Sequence, residues 1–235
     1  MSAVAVSLHQ ASRVNVIVTT ADGRQLRFNP PGPELSRAEW LAVLRKMRRL
    51  LARVSGVVIS GSLPRGIAVG TYAEIVRCVH RAGVKAILDC DGEAFRAAVR
   101  ARPFLVKPNE HELAVWQGRP LRSESSVIRA AKALSIQTRG WVMVSRGGDG
   151  ALLVNRREGL EFSARPPRIK PVNTVGAGDA MVAAIARQID RGTPPQEWLR
   201  QGVAAGTAAT QCAAGKLPPT GLINRLSTQI VVEQE

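Results

Sequence analysis

Apolar residues in this chain form short uninterrupted runs, and between the runs they recur every three or four positions. Val57-Val58-Ile59 and Ala86-Ile87-Leu88 are apolar on both faces, as strands buried in a parallel sheet require. Strand-like runs occupy residues 56–60, 84–89, 104–106 and 142–145, and helical spacing begins near Thr71, near Glu93, after Asn109 and near Ser123. This alternation predicts an α/β fold, a doubly wound and mostly parallel sheet flanked by helices. Ahead of it, residues 14–18 and 25–29 are strand-like around Ala21-Asp22-Gly23, a hairpin signal that predicts a small β flap. Pro30-Pro31-Gly32-Pro33 then breaks the chain, dividing a partial β lid (residues 1–30) from a core (31–235). Ser36 followed by Glu39 predicts a capping box, opening a helix on which Trp40, Leu44, Met47 and Leu51 share one face.

Composition narrows the class. With 235 residues, 45% of them apolar, the chain can bury a sizeable core. No apolar run reaches transmembrane length, and residues 1–8 lack the basic and long apolar regions of a signal peptide, so no membrane partner is expected. Three well-separated cysteines, Cys78, Cys90 and Cys212, suit neither a disulfide framework nor a zinc site, and a reducing cytoplasm is the expected location. A net charge of +15 attracts anions generally. The densest basic cluster, Arg45, Lys46, Arg48, Arg49 and Arg53, interleaves with the apolar face of the first helix and is expected to be its solvated side. With four Trp, four Phe and one Tyr there is little to stack bases, so nucleic acid is not the favoured partner.

The candidate chemistry centres on Val172-Asn173-Thr174-Val175-Gly176-Ala177-Gly178-Asp179-Ala180, followed by an apolar run suited to a helix. Small residues let a ligand approach the backbone, and the first helical amides then face an anion. Asp179 has two readings: a general base that takes a proton from a hydroxyl attacking a bound phosphate, or an acid that favours the positive helix end. The segment is not a P-loop, because G-x-x-x-x-G-K-[ST] is absent and Leu217 follows Gly215-Lys216. Four polar segments, Ser60-Gly61-Ser62-Leu63-Pro64, Asp89-Cys90-Asp91, Lys107-Pro108-Asn109 and Ser145-Arg146-Gly147-Gly148, fall at strand carboxyl ends, where open α/β sheets bind ligands. They predict a single cleft. Asn109 on its own chemistry is a helix N-cap, and residues 145–150 form a turn between the runs 142–144 and 152–154. His80 and His111 match no ligand spacing and are expected on helix surfaces.

Four motifs in order, residues 60–64, Lys107-Pro108-Asn109-Glu110-His111-Glu112, residues 145–151 and residues 173–180, resemble those of the PfkB group of ribokinase-like carbohydrate kinases. Pro31-Gly32-Pro33 and residues 89–94 resemble the hexose-phosphate branch, which includes 1-phosphofructokinases and tagatose-6-phosphate kinases. The resemblance implies ATP-dependent phosphorylation of a sugar phosphate, fructose 1-phosphate first and tagatose 6-phosphate next. It further implies Asp179 as base, the amides of Gly176, Ala177 and Gly178 as an anion hole, and Ser145, Arg146, Gly147, Gly148, Asp149 and Gly150 as an ATP loop. Asn109 and Glu112 match a pattern associated with Mg²⁺, held largely through water. Arg13 and Asn15 match an Arg-x-Asn pattern that faces the acceptor's phosphate, and Ser60 is a candidate sugar contact. The small residues of 202–214 resemble the helix and loop that flank adenine, without an assigned contact.

Members of the group carry a further N-terminal segment, with a first core strand, a sugar-binding Asp and a Gly-Gly-Lys-Gly loop, and none of these occurs in this sequence. The resemblance therefore implies an intact ATP side beside an incomplete sugar side, in a truncated product or a shortened relative, the alternative function being ATP binding with little or no kinase activity. An uncovered sheet edge is then expected, and a homodimer through the lid is one expected assembly.

Overall fold

The computed structural model describes residues 4–20, 25–213 and 215–235. Strands β1 (Val16–Thr19) and β2 (Gln25–Phe28) pair antiparallel in a two-stranded ribbon of their own, with Val16 opposite Phe28 and Val18 opposite Leu26. The expected Ala21-Asp22-Gly23 turn lies outside the described residues. Because side chains alternate along a strand, Val16, Val18, Leu26 and Phe28 share one face, and all four are exposed.

Helix α1 (Arg37–Leu51) starts at the predicted capping box: the Glu39 N–H donates to Ser36 Oγ and the Ser36 N–H donates to the Glu39 carboxylate. The Ser36 hydroxyl and the His9 and Ser36 amides hold the Glu39 carboxyl down at about 2. Trp40, Leu44 and Met47 pack onto the core while Arg45, Arg48, Arg49 and Arg53 are exposed as their spacing predicts; Lys46 of the same cluster is instead half-buried, its Nζ donating to Ala5 O.

The chain then runs β3 (Gly56–Ser60), α2 (Thr71–Arg81), β4 (Lys85–Asp89), α3 (Gly92–Val99), β5 (Leu105–Val106), α4 (Glu110–Gln117), α5 (Glu124–Thr138) and β6 (Trp141–Ser145). A 3-10 turn at Gly147–Asp149 leads to β7 (Ala151–Asn155) and β8 (Leu160–Ala164). Helices α6 (Ala177–Asp190), α7 (Pro195–Thr210) and α8 (Thr220–Ser227) and strand β9 (Val232–Gln234) complete it. One seven-stranded sheet has the order β3-β4-β5-β6-β7-β8-β9.

Helices flank both faces, as the alternation predicts. Val76, Leu88, Leu134 and Val144 belong to the core beneath α2, α3 and α5, and Leu105, Met143, Phe162, Ile185 and Leu199 to the core beneath α6 and α7. The expectation of a mostly parallel sheet holds only from β3 to β6; the pairings of β6 through β9 are antiparallel. For β6, β7 and β8 the cause is connection length. Helical crossovers join the first four strands, whereas only residues 146–150 and 156–159 join β6 to β7 and β7 to β8, and loops that short permit only hairpins. Among the described strands β3 forms an edge, and its Val58 is 41% exposed, which agrees with the expected uncovered edge.

Candidate active site

The parallel strands deliver their carboxyl ends to one edge. Ser60 lies opposite Asp89 in register, the Gly61 N–H donates to Asp89 O at 3.0 Å, and the Ser145 N–H donates to Pro108 O at 3.1 Å. The Tyr72 hydroxyl donates to Gly61 O and fixes the first exit. Asp89, at the end of β4, meets Lys107, which directly follows β5, at 3.0 Å. Both side chains are largely buried, 6% exposed for Lys107 and 15% for Asp89. Burial pushes the Asp89 carboxyl up, the Lys107 ammonium opposes that push, and Asp179 adds to it. Cys90 beside them is driven by burial and by neighbouring carboxylates to about 12, so its thiol stays protonated.

Above this pair lies the start of α6. Asn173 Oδ1 accepts the Val175 N–H at 3.0 Å, and the Val172 and Asn173 amides donate to Thr210 O, which ties the loop to the end of α7. Gly176 caps the helix at φ 79°, a left-handed conformation that glycine adopts without strain. The Ala177 N–H donates to Thr174 O at 3.4 Å and the Ala180 N–H to Gly176 O at 2.9 Å. That leaves the Gly178 and Asp179 amides without a backbone acceptor among the described residues. Of the three amides expected to form an anion hole, that of Ala177 is engaged within the turn. A Cβ at Gly178 would stand 3.6 Å from Lys107 Nζ, so an ammonium adjoins the free amides. The Asp179 side chain, in the same turn, is exposed.

A cavity of about 610 Å³ opens beside this turn. Ser145, Gly147, Gly148 and Gly150 line one side of it, Pro166, Pro167 and Ile169 another, and Ala177 and Gly178 its end. Its size and mostly apolar walls suit a nucleotide. Val203, Gly206, Thr207 and Thr210 of α7 also line it, although the sequence carried no assigned contact there. Gly150 permits the tight approach of β7 to β8, since a Cβ on it would lie 1.9 Å from Ala164 O.

Two residues of the expected ATP loop, Arg146 and Asp149, do not line this cavity. Arg146 turns its guanidinium to Glu110 (2.9 Å) and Glu124 (2.5 Å), because two carboxylates on neighbouring helices attract it away from the cavity. Asp149 is exposed outside the cavity lining, its amide donating to Arg146 O in the 3-10 turn. Asn109 and Glu112 form a reciprocal capping box: the Glu112 N–H donates to Asn109 Oδ1 at 2.8 Å, and the Asn109 amides donate to both Glu112 oxygens. Burial nevertheless pushes the Glu112 carboxyl up, against the Asn109 amide and Lys107. Arg13 reaches the first strand exit, its Nη2 donating to Ser62 Oγ at 3.2 Å. Asn15 and Ser60 are exposed, and Ser60 lies beside the Asp89 carboxylate. His80 and His111 are exposed on helices, as expected.

Lys107 and Asp89 stood within sequence segments recognised as strand exits, yet neither carried a role. The available signal was a lysine directly after an apolar strand, where a cation is buried only with a partner. Among the described residues no group of three or more His, Cys, Asp or Glu side chains is arranged to hold a metal ion, and no helix is long and apolar enough to cross a membrane.

Fold and cleft together define a two-faced α/β protein whose strand carboxyl ends and one helix start converge on a pocket of nucleotide size. The chain belongs to the pfkB family of carbohydrate kinases, whose profile matches residues 2–220. It is 36% identical over 205 residues to 1-phosphofructokinase of Escherichia coli K12, an alignment covering 87% of this chain and 65% of that protein. With 1-phosphofructokinase of Rhodobacter capsulatus it shares 36% identity over 225 residues, covering 95% of this chain and 71% of the relative. The crystal structure of phosphofructokinase-2 from Escherichia coli in complex with potassium superimposes with a TM-score of 0.83 at 32% identity, covering 93% of this chain and 71% of that one. The chain therefore spans about two thirds of the length of the proteins it resembles.

Proposed function

We propose that this chain transfers the terminal phosphoryl group of ATP to a hydroxyl of a sugar phosphate, with fructose 1-phosphate the favoured acceptor and tagatose 6-phosphate the next. The observation that carries this reading is that Ala177 and Gly178 line the 610 Å³ cavity at the helix turn that holds the free amides and Asp179, with the Lys107 ammonium adjoining Gly178. In the proposed reaction Asp179 takes the proton of the acceptor hydroxyl, the freed oxygen bonds to the γ-phosphorus, and the bond to the β–γ bridging oxygen breaks to release ADP. Gly178 and Asp179 donate amide hydrogens to the charge that develops on the transferring group, with Lys107 beside them. Ser145, Gly147, Gly148 and Gly150 border the nucleotide, and Arg13, with a guanidinium apt for phosphate, faces the acceptor together with Asn15 and Ser60. We assign residues 1–30 to the lid and 31–235 to the nucleotide-binding core.

The oxygen donors at Asn109 and Glu112 suit Mg²⁺, but each already hydrogen-bonds the other, which favours contact through water. Magnesium there would supply positive charge to the nucleotide phosphates. For the lid, the apolar face of Val16, Val18, Leu26 and Phe28 supports a second copy of the chain as partner.

A screen of ADP release over phosphorylated and unphosphorylated sugars tests the assignment. Activity confined to unphosphorylated sugars or nucleosides would overturn the acceptor class. A second reading, nucleotide binding with little turnover, is favoured by the exposure of Asp179, Arg13, Asn15 and Ser60, which leaves the acceptor side open. Calorimetry showing ATP–Mg²⁺ binding without ADP release would select it.

A further inference from the structure

The opposite ends of the same strands carry a second basic concavity. Lys85 opens β4, Phe104 precedes β5, Trp141 opens β6 and Asn155 ends the antiparallel β7, and all four line an open cavity of about 620 Å³. Along β4 it lies roughly 13 Å from the Asp89 end, so it is separate from the cleft described above. Lys85, Arg102, Arg139 and Arg157 border it, and Glu158 is the one acid in its described lining. An adjoining cavity of about 450 Å³ shares Arg139 and Arg157 and adds Arg156. Among the described residues none of these five cations makes an ion pair. Lys85 Nζ instead sits over the Phe104 ring, 5.1 Å from its centroid.

The backbone adds an independent observation. Arg102 (φ 60°) and Arg139 (φ 55°) are the two non-glycine residues with positive φ among the described residues, and both stand on the rim of this cavity. Each follows or ends a helix, at a turn that glycine would hold without strain. Arginine at both turns keeps two guanidiniums at the rim despite that strain, and strained backbone of this kind clusters at ligand clamps.

We propose that this concavity is a second anion site that takes a small molecule bearing two or more phosphate groups. By strand order Lys85 and Arg102 belong to the β4–β5 part of the lining and Arg139 and Arg157 to the β6–β7 part, a spread that matches separated phosphates better than a single one. Guanidinium forks grip phosphate with paired hydrogen bonds. A nucleic acid strand fits less well, because Phe104 is covered by Lys85 and Trp141 is 3% exposed, which leaves no aromatic face on which to stack a base.

The probe is inorganic tripolyphosphate, titrated by calorimetry into the full chain at near-physiological salt. Three variants accompany the wild type: Gly178→Val, which obstructs the active-site amides, the double variant Arg139→Gly with Arg157→Glu, and Arg102→Gly. Saturable binding at one site that survives Gly178→Val and weakens at least tenfold in the double variant, with ATP affinity retained there, is the expected result. Arg139→Gly and Arg102→Gly relieve left-handed strain, so thermal unfolding at or above the wild-type midpoint separates lost binding from lost fold. If the double variant fails to fold, Arg102→Gly alone decides by the same criterion. Binding abolished by Gly178→Val, or indifferent to the arginine variants, overturns the proposal. So does duplex DNA binding with a steep salt dependence while tripolyphosphate does not bind. Because this readout is independent of ADP release, failure here leaves the kinase reading standing, and the converse also holds.

Discussion

Lys107 Nζ lies 3.0 Å from Asp89 Oδ1, joining the ends of two adjacent parallel strands and setting an ammonium beside the first turn of α6. The pair is nearly dry, so neither member is expected to tolerate losing the other. Asp89→Asn leaves a buried ammonium without a counter-charge and should cost about 3 kcal/mol, whereas Asp89→Asn combined with Lys107→Met should recover part of that. Urea unfolding of the three proteins checks this. A single-variant loss below about 1 kcal/mol would show that water screens the pair.

Asp179→Asn should lower turnover by about 10²- to 10⁴-fold and leave nucleotide affinity within a few-fold, because the amide keeps the shape of the turn but accepts no proton. Gly178→Val acts differently: its branched side chain points toward Lys107 and crowds the free amides, so nucleotide affinity and turnover should fall together. Steady-state kinetics with calorimetry separates the two patterns, and unchanged turnover in Asp179→Asn would remove that carboxylate from the mechanism.

Two glycines with similar positive φ should respond unequally to alanine. Gly150 (φ 86°) has Ala164 O where a Cβ would go, while Gly159 (φ 70°) has nothing within 4 Å. Gly159→Ala should therefore cost only backbone strain, about 1 kcal/mol, and Gly150→Ala roughly 3 kcal/mol or more, since β7 and β8 must also separate. Thermal denaturation of both variants provides the comparison, and equal shifts would contradict the close approach.

The α1 capping box has a pH signature. The Glu39 carboxyl is held at about 2 by the Ser36 hydroxyl and neighbouring amides, below its ordinary 4.5. A lowered folded-state value means the contribution is complete above 4.5 and is lost as pH falls toward 2. The Tm difference between wild type and Glu39→Gln should therefore be largest near neutral pH and vanish near pH 2. A difference independent of pH would assign the effect to packing.

Local order was legible in the sequence wherever neighbours along the chain decide it. Ser36 and Glu39 form the box their spacing predicts, Asn109 caps α4, and residues 145–150 turn the chain between β6 and β7. Strand and helix positions, the shared edge of polar exits and the family also followed from periodicity and motif order. Of the candidate residues, Gly178 and the glycines at 147, 148 and 150 line one cavity, and Asp179 stands in the first turn of α6 beside it.

Tertiary structure alone decided the rest. Arg146 belongs to the loop motif, yet Glu110 and Glu124, 36 and 22 residues away, draw it out of the cavity. Lys107 gains its meaning only when β4 and β5 lie side by side and bring Asp89 within reach. Helix α7 lines the cavity because its small residues let it close on α6, and Arg102, Arg139 and Arg157 meet only where three connections return to one end of the sheet. Hydrophobic periodicity and capping act over a few residues and can be read along the chain. Charge pairing and cavity walls depend on distances between segments far apart in sequence, and those distances exist only once the sheet has assembled.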